Sequence, residues 1–262
     1  MSSVTRKGFI CSRNGLRIVG DVFLPAGCRE ADAPAAIVCH EFLTNQHLSW
    51  PYAHALAELG YAAYCFDFCG GGIGSKSDGK TTQMSVLTEI EDLRVVFTYV
   101  DARHPEAAAP LLVGCSQGGL VAGLLAAEQS ENVGALVLLY PALTIPGDAR
   151  AGTMLGMSFD PENVPDELSC GRIPIGKRYV TDVQDMDAYA ALADYDGRVL
   201  IIHGSSDTLV PLYSSQRATR TYQEAGADAH LAVIPGAGHI FWNPLHRQQA
   251  IDRIAEFATA SS

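Results

Sequence analysis

The sequence holds no apolar run long enough to cross a membrane, and its first residues, MSSVTRKGFICSRNG, lack the apolar core of a secretory signal. It is also short of positive charge: 18 Lys and Arg stand against 29 Asp and Glu, a formal net charge of −11. That balance keeps the chain soluble and argues against nucleic acid or an anionic membrane as a partner. It has no bearing on a small neutral substrate. Cysteine pairing patterns are missing as well. The seven cysteines, at 11, 28, 39, 65, 69, 115 and 170, are odd in number and contain no C-x-x-C pair. Cys39, Cys65 and Cys115 fall in predicted buried strands, where a free thiol behaves as a small hydrophobe, so a reduced, cytoplasmic setting is expected. Repeats and low-complexity segments are absent. What remains is 48% hydrophobic and 18% charged, a globular composition that argues against disorder and against a coiled coil. A chain of 262 residues fits one large domain, or one domain with an insertion.

The most informative stretch is Pro110–Gly119, PLLVGCSQGG. A buried-strand pattern runs into Gly114-Cys115-Ser116-Gln117-Gly118, and a small-residue helix pattern follows directly. G-x-S-x-G between a strand and a helix is the context of a nucleophile elbow. A serine at the tip of so sharp a turn sits in a strained backbone conformation, and neighbours with side chains would clash with strand or helix. The same turn aims the backbone N–H of Gln117, at the helix N-terminus, toward a developing oxyanion.

Residues 4–11 and 16–24 read as strands flanking Arg13-Asn14-Gly15, and Asn-Gly is a strong hairpin signal. Ala35–Cys39 is a short buried strand ending at His40. A helix near 50–59, a strand at Tyr61–Phe66, a Gly-rich loop at 69–79 and a helix near 84–101 follow, the last with apolar positions at helical spacing. Beyond the elbow, Ala135–Leu139 and Val199–Ile202 read as buried strands. A helix near 213–225, a strand at 229–234 and a helix near 246–258 complete the chain. Alternating buried strands and helices predict an α/β fold: a mostly parallel sheet, helices on both faces, opened by an antiparallel hairpin. The interval between the strands ending near 139 and starting near 199 is far longer than an ordinary connection. It is expected to form an inserted lid, residues 141–197, over a core made of residues 1–140 and 198–262.

In an open parallel sheet, catalytic groups gather outside the carboxyl ends of the strands. The turn after strand 199–203 reads His203-Gly204-Ser205-Ser206-Asp207, and the turn after 229–234 reads Pro235-Gly236-Ala237-Gly238-His239. A serine hydroxyl needs a general base, and the base needs an acceptor that fixes its tautomer. Ser116, Asp207 and His239 offer those roles in the order Ser–Asp–His. Asp194, Asp196 and Asp228 compete for the acid, and His203, His230 and His246 for the base. They rank lower because His203 and His230 belong to predicted strands and His246 to a helix start.

With these residues in place, the chain resembles the α/β-hydrolase superfamily over nearly its whole length. Within it, the sequence is similar to small bacterial feruloyl (hydroxycinnamoyl) esterases. The resemblance rests on His40-Glu41-Phe42, Gly114-Cys115-Ser116-Gln117-Gly118, His203-Gly204-x-x-Asp207, Gly238-His239 and the stretch FDFCGGGIGSKSDGKTTQMSVLTEIEDL. It implies an oxyanion hole made by the backbone N–H groups of Phe42 and Gln117. Glu41 departs from the pattern, standing where glycine is usual and bringing a carboxylate near the hole. The resemblance further implies lid residues that meet a phenolic hydroxyl, matched here by Asp148 and Tyr179. Met154, Leu155 and Met157 would form an apolar wall.

Two other patterns are weaker. Gly74-Ser75-Lys76-Ser77-Asp78-Gly79-Lys80-Thr81 matches a phosphate-binding loop. A long Gly-rich lead separates it from the strand, and no later strand ends in an aspartate placed to hold Mg²⁺. His40, His47 and His54 recur every seven residues, but only the last is predicted helical, which argues against a metal site. The expectation is therefore a cofactor-free serine carboxylesterase, with hydroxycinnamate esters favoured and acylglycerol or short-chain acyl esters as the alternative. A non-catalytic small-ligand binder on the same fold stands further behind, and a homodimer is compatible with the sequence. Activity should fall below neutrality as a histidine base protonates.

Overall fold

Asn14 and Gly15 both adopt positive φ, 49° and 86°, which a two-residue hairpin turn requires, and they join the first two strands antiparallel. The structure, a computed structural model, describes residues 4–260. The strands β1 (Thr5–Arg13) and β2 (Leu16–Leu24) are followed by β3 (Ala35–Cys39), α1 (Trp50–Glu58), β4 (Ala62–Phe66) and α2 (Val86–Asp101). Next come β5 (Leu111–Cys115), α3 (Gln117–Glu128) and β6 (Ala135–Leu139). The insertion contributes α4 (Ile145–Ala151), a hairpin of β7 (Thr153–Met154) and β8 (Met157–Ser158), and a second of β9 (Glu167–Cys170) and β10 (Ile173–Gly176). It continues through α5 (Arg178–Thr181) and α6 (Ala188–Leu192). The chain then returns with β11 (Arg198–Gly204), α7 (Leu212–Glu224), β12 (Asp228–Ile234) and α8 (Pro244–Thr259).

Eight strands form one sheet in the order β1-β2-β4-β3-β5-β6-β11-β12. From β4 to β12 every neighbouring pair is parallel, and only β1 and β2 run antiparallel to their neighbours. All residues of β3, β4 and β5 are buried, as strands covered on both faces must be. One face packs Leu93 and Val96 of α2 and Leu120 and Leu125 of α3; the other packs Leu56 of α1 and Ile254 of α8. Each fully buried aliphatic side chain of this kind stabilises the fold by about 1.5–3 kcal/mol. Helix α3, QGGLVAGLLAAE, has no polar stripe because it is buried nearly all round. The strand expected at 199–202 runs on to Gly204, since His203 and Gly204 still pair with Val233 and Ile234 of β12.

Residues 141–197 contribute no strand to this sheet. They fasten to the turn before α2. The Thr81 hydroxyl donates to the Pro174 carbonyl at 2.6 Å, and the Ser85 hydroxyl donates to Asp182 at 2.5 Å. Gly176 lies so close that a Cβ there would stand 2.0 Å from the Thr82 carbonyl oxygen. Among the described residues no helix is long and apolar enough to cross a membrane.

Candidate active site

The carboxyl ends of β3, β5, β6 and β12 share one edge of the sheet, and backbone strain concentrates there. Ser116 follows β5 with φ 51° and ψ −116°. Leu43, Tyr140, Ile240 and Phe241 also take positive φ although none is glycine. Such conformations are costly for L-residues and persist where the surroundings over-determine them. The elbow glycines have a steric cause. A Cβ on Gly114 would lie 2.3 Å from the Gly118 carbonyl oxygen, and a Cβ on Gly118 would lie 2.4 Å from that of His40. The nucleophile turn therefore presses directly on the exit of β3, which carries Phe42.

His239, just past β12, spans the distance between Ser116 and Asp207. Its Nε2 is 2.9 Å from Ser116 Oγ and its Nδ1 2.7 Å from Asp207 Oδ2. An ionised carboxylate can only accept, so Nδ1 carries the proton and Nε2 is left to accept from the serine hydroxyl. This is the tautomer a general base requires. Asp207 is held by more than His239. Its Oδ1 accepts from the Leu209 and Val210 amides at 2.9 Å each, and its Oδ2 is 3.3 Å from His203 Nε2. Burial alone would raise the Asp207 carboxyl, but the two imidazoles and the Val210 amide hold it well below the ordinary carboxylate range.

His203 donates from Nε2 to the Val210 carbonyl at 2.9 Å, and its Nδ1 is 2.7 Å from the Ser215 hydroxyl. A neutral imidazole satisfies all of these contacts, so His203 fixes the acid and does not compete as the base. The other competitors sit elsewhere. Asp228 and His230 pair with each other where β12 begins, at the opposite edge. Asp196 accepts from Ser130, Asp194 lies just before β11, and His246 belongs to α8.

Among the described residues, neither the Phe42 nor the Gln117 amide donates to a protein acceptor. His40 anchors this loop, its Nδ1 donating to the Glu41 carbonyl at 2.7 Å and its Nε2 accepting the Phe68 amide at 3.1 Å. Glu41 is buried with both carboxylate oxygens engaged: Oε1 accepts from the Tyr140 hydroxyl at 3.0 Å and Oε2 from Thr44 at 3.3 Å. The Tyr140 ring in turn packs 4.8 Å from the His239 ring. Glu41 thus links the β3 exit to the support of His239. Glu41→Ala should leave the buried Tyr140 hydroxyl without its acceptor and lower stability by about 1–3 kcal/mol, read as a shift in urea midpoint. An unchanged midpoint would mean that the link contributes nothing.

Asp148 occupies the first turn of α4, half-buried, and burial pushes its carboxyl above the ordinary value. It lines a cavity of about 420 Å³ with Leu143, Thr144, Tyr189, Tyr213 and Arg217. None of Ser116, Gln117, Phe42 and His239 lines this cavity; its nearest link to the elbow along the chain is Leu143, next to Ala142, whose amide donates to the Ser116 carbonyl at 2.9 Å. Tyr179 is fully buried. Its hydroxyl donates to Gln117 Oε1 at 2.5 Å, and its ring packs 4.8 Å from that of Phe42. In the loop matching a phosphate-binding pattern, the Lys76, Ser77 and Asp78 amides are already committed, donating to Asp67, Ser75 and the Arg17 carbonyl.

Tyr140 and Glu89 carry no motif that marks them as part of the site, and His203 enters it as a support for Asp207, not as a base. Glu89 had a visible signal, since it lies among the apolar positions of α2 yet carries a carboxyl.

Comparison with known proteins agrees with this fold. The model of the serine aminopeptidase S33 family matches residues 35–166, half of the chain. A monoacylglycerol lipase of Mycolicibacterium smegmatis is 24% identical over 286 residues, covering 98% of each chain. The structure of Est1E from Butyrivibrio proteoclasticus with ferulic acid bound has a TM-score of 0.87 at 29% identity, covering 95% of this chain and 97% of that one. The Pyrococcus furiosus esterase Pf2001 shares the fold, with a TM-score of 0.72 at 18% identity, covering 98% of this chain and 90% of that one.

Proposed function

Because the chain belongs to the serine aminopeptidase S33 family of α/β-hydrolase enzymes, we propose that it hydrolyses carboxylic esters of hydroxycinnamate type through a Ser116–His239–Asp207 triad. The observation that carries the reaction is His239 standing within hydrogen-bond distance of both Ser116 Oγ and Asp207 Oδ2. Ser116 Oγ bonds to the ester carbonyl carbon while His239 Nε2 takes the hydroxyl proton. The carbonyl oxygen becomes an oxyanion, held by the Phe42 and Gln117 amides. As the tetrahedral centre collapses, Nε2 returns the proton to the leaving alcohol. Water then repeats the sequence on the acyl-enzyme and releases the acid. Asp207 stays ionised throughout, orienting the imidazole and stabilising its cationic form.

The substrate class is supported by likeness to a structure with ferulic acid bound and by the cavity that Asp148 lines. A volume of about 420 Å³ suits a small molecule. Asp148 offers its carboxyl to a phenolic hydroxyl, whereas the Tyr179 hydroxyl is already donated to Gln117. Residues 141–197 act in this reading as the lid that closes the acyl site. An acylglycerol reading draws on the monoacylglycerol lipase relative.

The test is kcat/KM on methyl ferulate against a short aliphatic ester, with Ser116→Ala as control. Ferulate should be preferred by about tenfold or more, and Asp148→Ala should remove that preference while sparing the aliphatic ester. Preference for the aliphatic ester, indifferent to Asp148, would refute the hydroxycinnamate assignment and favour the acylglycerol reading.

A further inference from the structure

Glu89 is a buried carboxyl that no step of the reaction uses. It lies in α2 at 1% exposure, with its Oε2 accepting from Gln117 Nε2 at 2.8 Å. The other end of the same amide, Gln117 Oε1, accepts the Tyr179 hydroxyl, and the Tyr179 ring backs Phe42. A continuous set of contacts therefore runs from Glu89 to Gln117 and Phe42, the two residues whose amides are proposed to hold the oxyanion. We infer that Glu89 is a positioning residue for ester cleavage: through the Gln117 side chain and Tyr179 it holds both oxyanion donors in place. The inference rests on the ester-hydrolysis reading above.

Both parts of Gln117 matter here. Its backbone N–H is an oxyanion donor at the first position of α3, where no helical partner fixes it. Its side chain is tied down from below, and a primary amide with one donor end and one acceptor end suits a carboxyl on one side and a phenol on the other. Preorganised donors are what make such holes effective, so a loose Gln117 would lower the rate more than substrate affinity.

The charge state of Glu89 gives this arrangement a pH signature. Burial pushes its carboxyl up to about 8, the Gln117 hydrogen bond opposes the rise, and Asp92 adds to it. The groups facing it are Gln117 from α3, the Tyr179 hydroxyl from α5, the Cys39 thiol from β3 and Asp92 one turn along α2. Asp92 is itself paired with Arg13 and the Cys69 amide. Among the described residues no cation forms an ion pair with Glu89. At neutral pH Glu89 is a neutral acid. Above about pH 8 it ionises and places negative charge behind the hole, where it opposes the developing oxyanion. The rate should therefore fall as pH rises through this value.

The experiment measures kcat and KM on p-nitrophenyl acetate across about pH 6–10 for the wild type, Glu89→Gln and Glu89→Ala, with Ser116→Ala as background. Wild-type kcat is expected to decline above about pH 8. Glu89→Gln keeps an acceptor for Gln117 but cannot ionise, so it should lose the alkaline decline and stay within about threefold of wild-type kcat at neutrality. Glu89→Ala removes the acceptor and should lower kcat about tenfold with KM nearly unchanged. The inference is overturned if Glu89→Gln declines as the wild type does, or if Glu89→Ala keeps full kcat. Should the alanine variant fail to fold, the glutamine profile decides alone. Turnover in Ser116→Ala within about tenfold of wild type would overturn the Ser116 triad on which the reading rests, an outcome distinct from Ser116-dependent turnover indifferent to Glu89.

Discussion

Ser116→Ala is expected to lower kcat for ester hydrolysis by about 10⁴–10⁶-fold, with KM and folding nearly unchanged. The size of the effect follows from what the side chain does. Its hydroxyl contacts His239 Nε2 at 2.9 Å and supplies the atom that bonds to the carbonyl carbon. Alanine keeps the Cβ, so the turn at φ 51° is no more strained than with serine. The Phe42 and Gln117 amides remain free to polarise an ester, which leaves a residual rate above that of water. Steady-state kinetics on methyl ferulate, with circular dichroism to confirm folding, reads the result. Turnover within about tenfold of wild type would mean that another group is the nucleophile.

The parts of this site that were legible in the sequence are those fixed by local backbone geometry. Gly114 and Gly118 announce the elbow because any side chain there would strike the Gly118 or His40 carbonyl oxygen. Asn14-Gly15 announces its hairpin because both residues need positive φ. Continuous apolar runs such as Ala35–Cys39 and Leu111–Cys115 mark strands buried on both faces, and the strand ends bring Ser116, Asp207 and His239 to one edge. What was not legible depends on partners distant in sequence. The second imidazole on Asp207 comes from His203, still inside β11, which the sequence offered only as a lower-ranked rival base. Tyr179 is turned toward Gln117, sixty-two positions earlier, which no spacing rule anticipates. The hairpins of the insertion include strands of two residues, too short for any periodicity to register. Glu41 is the intermediate case: the departure from glycine is plain in the sequence, but its carboxylate proves to be engaged with Tyr140 and Thr44.

Asp207→Asn should lower kcat by about 10³–10⁴-fold even though it changes only one atom. The reason lies in how the carboxylate is surrounded. Oδ1 accepts two backbone amides, from Leu209 and Val210, and an asparagine can meet those donors only with its carbonyl oxygen. Its NH₂ group must then take the Oδ2 position, facing His239 Nδ1 and His203 Nε2. There it donates where the carboxylate accepted. His239 answers by moving its proton to Nε2, and that nitrogen can no longer accept from Ser116. His203 still has the Val210 carbonyl for its own proton, so it loses a contact without a forced change of tautomer. Stability carries an independent signature. A carboxyl held below its ordinary value stabilises the fold above the unfolded-state value of about 3.9, and that contribution fades as pH falls. The stability advantage of wild type over Asp207→Asn should therefore be largest near neutrality and shrink in acid. Chemical denaturation at several pH values measures this, beside kcat at neutrality. If the variant kept kcat within about tenfold, some other group would be orienting His239. If kcat collapsed while the stability gap stayed flat with pH, the loss would come from packing and not from the missing charge.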